Sequence, residues 1–162
     1  MSPRAWPDLA GRLGKHHHVL PVRVYFEDTD FSGLVYHASY LRWCERGRSD
    51  FLRLIGNDHR GLIGGSAGRE PAAFVVRRMS LEFLCPARID DVLEVETRVE
   101  QAGAASLVLA QRIVRDGKPL FEAQVTVVLV SVSGKPLRLS GALREALSQP
   151  RDSRAWRPHT GP

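Results

Sequence analysis

The sequence has few cysteines, few aromatic residues and no long hydrophobic run. Its 162 residues include only Cys44 and Cys85, and two cysteines cannot form the multiple disulfides on which small secreted domains depend. The longest strongly apolar stretch, 125–132, is interrupted by Thr126 and Ser131 and is far shorter than the roughly 20 residues that span a bilayer. The first 20 residues contain prolines, charges and histidines where a secretory signal has an apolar core. We therefore expect a cytoplasmic protein.

Motifs for metals and phosphates are also missing. His16, His17 and His18 are adjacent, and no Cys, Asp or Glu follows at the spacing of a metal site. Gly64-Gly65 lacks the Lys-Ser/Thr pair that completes a phosphate-binding loop. The sequence therefore predicts no catalytic metal and no bound cofactor.

Positive charge is concentrated at the two ends of the chain. The net charge is +5, of which residues 1–18 carry +2 and residues 149–162 carry another +2. Both segments are rich in Pro, Gly and Arg, so we expect disordered basic tails flanking one domain at 19–148. An almost neutral body argues against a nucleic-acid partner, while contact of the tails with an anionic membrane surface stays an alternative.

The hydrophobic pattern predicts a strand, a long helix and then four more strands. Residues 22–27 alternate between apolar and polar. From Tyr40 to Leu54, apolar residues recur every three or four positions, which is one face of a helix. Gly47 lies on that face, so we expect a close approach of the helix to the surface that it covers.

The second half of the chain reads as a meander. Four segments show strand patterns: 75–83, 93–99, 107–113 and 121–129. Asp116-Gly117 suits a two-residue hairpin turn, and residues 139–147 suit a short helix. Strands joined by hairpins, with one amphipathic helix, predict a two-layer α+β domain with an antiparallel sheet.

The densest cluster of reactive residue types lies between the first strand and the long helix. Residues 27–40 contain Asp28, Asp30 and His37. A helix start offers free N–H groups and a partial positive charge that can hold a developing oxyanion. A carboxylate in the preceding turn could act beside it as nucleophile or general base. Turn and capping hydrogen bonds are the alternative role for both aspartates.

This cluster also carries a family resemblance. Residues 23–41 read R-V-Y-F-E-D-T-D-F-S-G-L-V-Y-H-A-S-Y-L, which resembles the active-site signature of the 4-hydroxybenzoyl-CoA thioesterase family. More narrowly, it resembles the acyl-CoA thioesterases associated with the bacterial Tol–Pal system. Further matching segments extend the resemblance over about residues 19–147: 73–79, 86–91, 106–108 and 111–114.

The resemblance implies a fold, an activity and an assembly. The fold is the hot-dog fold, with a five-stranded antiparallel sheet wrapped around one long helix. The activity is hydrolysis of an acyl-CoA thioester to a free acid and CoA. The assembly is a homodimer, or a tetramer built from two dimers, with active sites at the subunit interface.

The resemblance also assigns roles to individual residues. Asp30 matches the catalytic aspartate, as nucleophile or general base. His37 supplies the backbone N–H that polarises the thioester carbonyl, and its ring either orients substrate or packs at the helix start. Gly33 allows close approach of the turn to the ligand, and Tyr36 lines the acyl pocket or simply packs.

Other candidates follow from chemistry at neighbouring positions. Phe31 stands where close relatives carry a small residue, so we expect it to shorten or reshape the acyl pocket. Arg77 and Arg78 are candidates for binding the CoA phosphates, as is Arg88, although alternation on a strand would place Arg77 and Arg78 on opposite faces. Each of these arginines could instead belong to a solvated strand face.

A thiol–imidazole pair is not expected. Cys44 lies seven residues after His37 on the same helix, which is roughly 10 Å of axial rise. Two other functions remain open for the same fold: a non-catalytic binding partner of acyl carrier protein or of a cell-envelope complex, and a dehydratase.

Overall fold

The structure is a computed structural model that describes residues 9–14, 17–57, 59–65 and 69–148. The elements, in chain order, are β1 (Arg12–Leu13), β2 (His18–Arg23), a 3-10 turn (Phe26–Asp28), α1 (His37–Leu54), α2 (His59–Gly64), β3 (Ala72–Phe83), β4 (Val92–Ala102), β5 (Ser106–Arg115), β6 (Lys118–Ser131) and α3 (Gly141–Leu147). The expected tail at 149–162 and most of the other tail lie outside the described residues. Within the described ranges, no helix is long and apolar enough to cross a membrane.

The sheet is antiparallel and has six strands in the order β1-β2-β4-β5-β6-β3. The antiparallel α+β prediction is confirmed, but the prediction of five strands is wrong by one. The additional strand is β1, whose Arg12 pairs with Val19 of β2. A strand of two residues is too short to show an alternation of apolar and polar side chains, so the sequence pattern could not reveal β1. Because β1 and His18 belong to the sheet, the expected tail at 1–18 is also wrong for these positions.

The first predicted strand ends earlier than the alternation suggested. β2 stops at Arg23, and Phe26–Asp28 forms a 3-10 turn instead of continuing the strand. The backbone N–H of Tyr25 donates to Asp28 Oδ2 at 2.8 Å. This local side-chain bond competes with the strand ladder, and it brings the chain round toward the start of α1.

Helix α1 packs against the sheet along the predicted face. Tyr40, Cys44 and Phe51 are buried, whereas Leu54 is exposed. A Cβ added to Gly47 would lie 3.0 Å from Val95 Cγ1 and 3.1 Å from Thr97 Oγ1 on β4. The expected close approach of helix and sheet at Gly47 is therefore present.

A β-bulge interrupts the long strand β3. The register against β6 shifts between Val76 and Arg78, which leaves Arg77 as an extra residue. Residues directly opposite each other share a face. Val76 therefore faces the same side as its buried partner Val127, and Val75 faces the other side. The regular strand pattern predicted for 75–83 therefore does not hold across the bulge.

Candidate active site

The chain between β2 and α1 folds back on itself in a short, internally bonded turn. The backbone N–H of Gly33 donates to the Asp30 carbonyl at 3.0 Å, and the Asp30 N–H donates to the Leu34 carbonyl at 2.9 Å. Gly33 has a φ of +80°, a conformation that side chains with a Cβ rarely adopt. A Cβ at Gly33 would meet no atom within 4 Å. Within one chain, backbone conformation is therefore the reason for glycine at this position.

The two aspartates of this segment occupy opposite environments. Asp28 is only 7% exposed and accepts the Tyr25 N–H. Asp30 is exposed, and its Oδ1 accepts both the Ser32 backbone N–H at 2.8 Å and the Ser32 hydroxyl at 2.5 Å. Asp28 therefore supports the turn, whereas Asp30 presents a carboxylate to the surroundings.

Hydrogen bonds from Ser32 lower the pKa of Asp30 below its ordinary value of 3.8. The hydroxyl has the largest effect, the backbone N–H adds to it, and the nearby His37 also lowers this pKa. Donors to an ionised carboxylate stabilise the charged form. Asp30 is consequently a carboxylate at neutral pH, as both a nucleophile and a general base require.

The start of α1 leaves backbone donors available next to this turn. Tyr36 occupies the N-cap position and makes no side-chain capping bond. Its own N–H donates to the Asp28 carbonyl at 2.8 Å, which ties the helix start to the turn. No hydrogen bond among the described residues takes up the backbone N–H of His37, so this group can donate to a ligand oxygen.

Aromatic rings surround the helix start. The rings of Tyr36 and His37 have centroids 4.3 Å apart, and His37 and Phe83 form an edge-to-face pair at 6.5 Å. Tyr36 and Phe83 are both about half exposed. Phe31 is completely exposed in the single chain, so any effect of Phe31 on an acyl pocket requires a ligand or a second molecule to cover it.

The structure brings together five of the predicted site residues but separates the strand arginines from them. The five are Asp30, Phe31, Gly33, Tyr36 and His37. Phe83, at the end of β3, contacts His37, whereas Arg78 lies five residues earlier on the strand, which is roughly 17 Å away at the usual rise. Arg88 is nearer, because it forms an isolated bridge with Leu34 in the turn.

Cys44 and His18, which the sequence offered as a nucleophile and a metal ligand, both lie inside the fold, whereas His16 is outside the described residues. Cys44 is buried, and this burial raises the pKa of its thiol to about 12, so the thiolate is scarce at neutral pH. His18 is completely buried and lies 2.7 Å from Asp50 Oδ2, not in an unstructured tail as its position in the sequence had suggested. The described residues contain no group of three or more metal-ligating side chains.

Sequence reasoning missed the contribution of Ser32 to the site. Ser32 had no expected role beyond its place in the signature segment, yet its hydrogen bonds are the main cause of the lowered pKa of Asp30. An aspartate side chain in a turn often accepts the backbone N–H two residues later, which is an Asx turn. The position of Asp30 in a glycine-containing turn, two residues before Ser32, was therefore the available signal. Phe83 was also missed as a neighbour of His37, because only the tertiary structure brings β3 to the start of α1.

Comparisons with known proteins agree with this fold. The sequence model of the Thioesterase superfamily matches residues 32–122 of this chain. The acyl-CoA thioester hydrolase YbgC of Escherichia coli O157:H7 is 47% identical over 111 residues, covering 68% of this chain and 79% of that protein. The crystal structure of a probable thioesterase from Bartonella henselae is 44% identical with a TM-score of 0.74, covering 76% of this chain and 99% of that one.

A third comparison involves a bound ligand. A Thermus thermophilus thioesterase crystallised with coenzyme A and zinc is 27% identical with a TM-score of 0.68, covering 80% of this chain and 90% of that one. The fold class is therefore the hot-dog fold of thioesterases, as the resemblance implied. The chain belongs to the Thioesterase superfamily, and it is a thioester hydrolase.

Proposed function

We propose that the protein hydrolyses acyl-CoA thioesters, with Asp30 as the catalytic carboxylate and the His37 backbone N–H as the donor to the thioester oxygen. One observation carries this proposal. An exposed aspartate, whose pKa Ser32 lowers, stands next to a helix start whose backbone N–H has no partner among the described residues. The E. coli relative is an acyl-CoA thioester hydrolase, which supports CoA as the carrier of the acyl group.

The proposed reaction begins with attack on the thioester carbonyl. The carbonyl oxygen becomes negative as the tetrahedral intermediate forms, and the His37 N–H stabilises it at the positive end of α1. The C–S bond then breaks, and CoA leaves as a thiol after gaining a proton. The resulting acid gains one oxygen, which comes from water directly or, through an anhydride with Asp30, from the Asp30 carboxylate, whose oxygen water then replaces.

Two routes share these steps and differ in the attacking atom. In the first, an Asp30 oxygen attacks and forms a mixed anhydride, which water then hydrolyses. In the second, Asp30 takes a proton from water, and the hydroxide attacks directly. A single turnover in ¹⁸O-labelled water separates the routes if water cleaves the anhydride at the Asp30 carbonyl, because label then appears in Asp30 only on the first route.

An apolar path on β3 suits an acyl group. Phe83, Leu81, Met79 and Val76 share the face that looks toward α1, because their partners on β6 are buried core residues. Near the other end of this path lies a cavity of about 220 Å³, with Val76 and Arg48 among its lining residues. Arg88, beside the turn, is the nearest of the candidate cations for the CoA phosphates.

A homodimer suits the exposed edge of the sheet. β3 has 12 residues and pairs, within the described chain, only with β6. Val75, Val76, Leu81 and Phe83 on this strand are all exposed. A long apolar edge strand is a ready template for pairing with another copy. We infer that a second copy pairs there, so that each active site lies close to the subunit interface.

The test compares thiol release by wild type and Asp30→Asn. Both are assayed on a panel of short, branched, long and aromatic acyl-CoAs, with a no-substrate blank to subtract the signal from Cys85. We expect Asp30→Asn to lose at least about 100-fold in kcat, because a group that acts only in the transition state is removed. Its thermal stability should be unchanged, since Asp30 is exposed.

Asp116→Asn is the matched control, because it makes the same chemical change at an exposed hairpin position and should leave turnover intact. Full activity of Asp30→Asn would contradict the catalytic assignment. Failure of wild type to hydrolyse any acyl-CoA would instead favour an acyl carrier protein substrate or a non-catalytic binding role, which a pull-down with acyl carrier protein would test.

A further inference from the structure

The C-terminal half of the Asp30 turn, residues 34–35, is held by the segment that follows β3. The Val35 backbone N–H donates to the Ala87 carbonyl at 2.9 Å, and Leu34 forms an antiparallel bridge with Arg88. Leu34 in turn accepts the Asp30 N–H at 2.9 Å. The position of the Asp30 backbone therefore depends on where residues 87–88 lie.

A tyrosine hydroxyl fixes this segment. Tyr40 Oη accepts the backbone N–H of Ala87 at 3.0 Å, and both residues are buried. A buried N–H without a partner is costly, so Ala87 stays at the hydroxyl. Because burial raises the pKa of Tyr40, the hydroxyl remains neutral in the range where the enzyme would work.

The tyrosine ring is itself held by other aromatic rings. It stacks on Phe121 with centroids 5.3 Å apart and planes 13° apart. Trp43 and Phe83 meet it edge to face at 5.5 and 5.7 Å. These contacts leave the ring little freedom to move, and they therefore fix the position of its hydroxyl.

We propose that Tyr40 is a positioning residue for the thioesterase reaction, since its hydroxyl holds the Asp30 turn in place against the start of α1. This inference rests on the proposed function. Tyr40 lies on α1, three residues after His37, so the same helix that presents the His37 N–H also fixes the carboxylate. The N-terminal half of the turn, at Asp28, has its own link to α1, because the Ser39 hydroxyl and the Tyr36 N–H both donate to the Asp28 carbonyl. Tyr40 supplies the corresponding link for the C-terminal half, through Ala87 and Val35.

Tyr40→Phe tests this role directly. Phenylalanine keeps the ring contacts and removes only the oxygen that accepts the Ala87 N–H. We expect kcat to fall by about 10- to 100-fold, the size of effect that follows when a reacting group is misplaced by about 1 Å. KM should stay within about twofold, because the groups that contact substrate are unchanged.

Trp43→Phe is the matched control. Trp43 contacts the same ring and is equally buried, but it takes no part in the hydrogen bonds that hold the turn, so the change weakens packing without removing the Ala87 bond. We expect it to lower thermal stability at least as much as Tyr40→Phe while kcat stays within about twofold, as loss of packing acts on stability. Parallel losses of kcat and stability in both variants would show a merely structural role and would overturn the proposal.

Amide hydrogen exchange provides a readout that needs no turnover. In Tyr40→Phe, exchange should accelerate at Val35 and Ala87 and stay unchanged at Leu109 in the central strand β5, because only the local link is lost. Unchanged exchange at Val35 would overturn the proposal. An inactive wild type would refute the proposed function, whereas the exchange pattern would still decide whether Tyr40 holds the turn.

Discussion

Asp28 and Asp30 have the same side chain and lie two residues apart, yet their environments give them different tasks. Asp28 is turned inward and accepts the N–H of Tyr25. Asp30 is turned outward, and Ser32 donates both of its hydrogen bonds to one carboxylate oxygen, Oδ1. The other oxygen, Oδ2, accepts no hydrogen bond from the described residues. A single serine thus lowers the pKa of the carboxylate without covering it.

Ser32→Ala should shift the pH dependence of turnover. Ser32 lowers the pKa of Asp30, so loss of the hydroxyl raises that pKa and protonates Asp30 at a higher pH. We expect the acid limb of kcat/KM, which reports groups of the free enzyme, to move to higher pH. Turnover at neutral pH should change little, since Asp30 is ionised there in both proteins.

Ser32→Thr is the control for this change, because it retains the hydroxyl and should keep the acid limb of wild type. Circular dichroism at each pH would show that the proteins are folded. An acid limb that is identical in wild type and Ser32→Ala would mean that the Ser32 hydroxyl does not govern the ionisation of Asp30.

At the scale of elements, the site depends on how closely α1 lies on the sheet. Gly47 allows this approach, and next to it the Gln111 side chain donates to the Cys44 carbonyl at 2.9 Å and to Thr97 Oγ1 at 2.8 Å. These bonds join the middle of the helix to two neighbouring strands. The helix start, with its free N–H, takes its position from this packing.

Gly47→Leu should destabilise the protein. A Cβ at this position already approaches Val95 and Thr97 to within 3.0–3.1 Å, so a larger side chain must push α1 off the sheet. We expect a loss of at least about 1–3 kcal/mol in the free energy of unfolding, measured by urea denaturation at one protein concentration.

Gly64→Leu is the comparison, since a Cβ at the end of α2 meets no atom within 4 Å. Its effect should be much smaller. Equal losses for the two variants would show that helix propensity or exposed apolar surface, and not the close approach at Gly47, determines the effect.

At the scale of the whole molecule, the two edges of the sheet differ. At one edge, β1 is only two residues long, which offers little backbone for pairing. At the other edge, β3 presents 12 residues and carries exposed apolar side chains on both faces. The contrast supports the proposed self-association through β3.

Val75→Lys combined with Val76→Lys should weaken the proposed dimer. The two side chains lie next to the bulge on opposite faces of β3 and are 44% and 50% exposed, so charge is added to both faces of the edge at little cost to the folded chain. Light scattering after size exclusion should show a smaller mass than wild type at the same concentration, because charged edge strands resist pairing.

Val132→Lys controls for the added charge, because Val132 is 84% exposed in the turn after β6 and lies off this edge. It should keep the mass of wild type. A double variant with the same mass as wild type would place the interface elsewhere.

The sequence by itself determined the helix, most of the strands and the segment that carries the chemistry. The apolar spacing from Tyr40 to Phe51 predicted α1, and the hairpin at Asp116-Gly117 is present, with positive φ at both residues. Such features are local, because hydrophobic periodicity and turn conformation are set by neighbouring residues. The segment from Arg23 to Leu41 likewise indicated the family, through its resemblance to the signature of known members.

Only the tertiary structure decided how these parts meet. β1 is a strand because it pairs with β2. The bulge at Arg77 changes which side chains of β3 face α1. Neither feature leaves a periodic trace in the sequence. The bond from Ala87 to Tyr40 joins residues 47 positions apart, and its partners are selected by packing of the helix against the sheet. Spacing along the chain identifies the reactive groups, whereas long-range contacts determine where each group points.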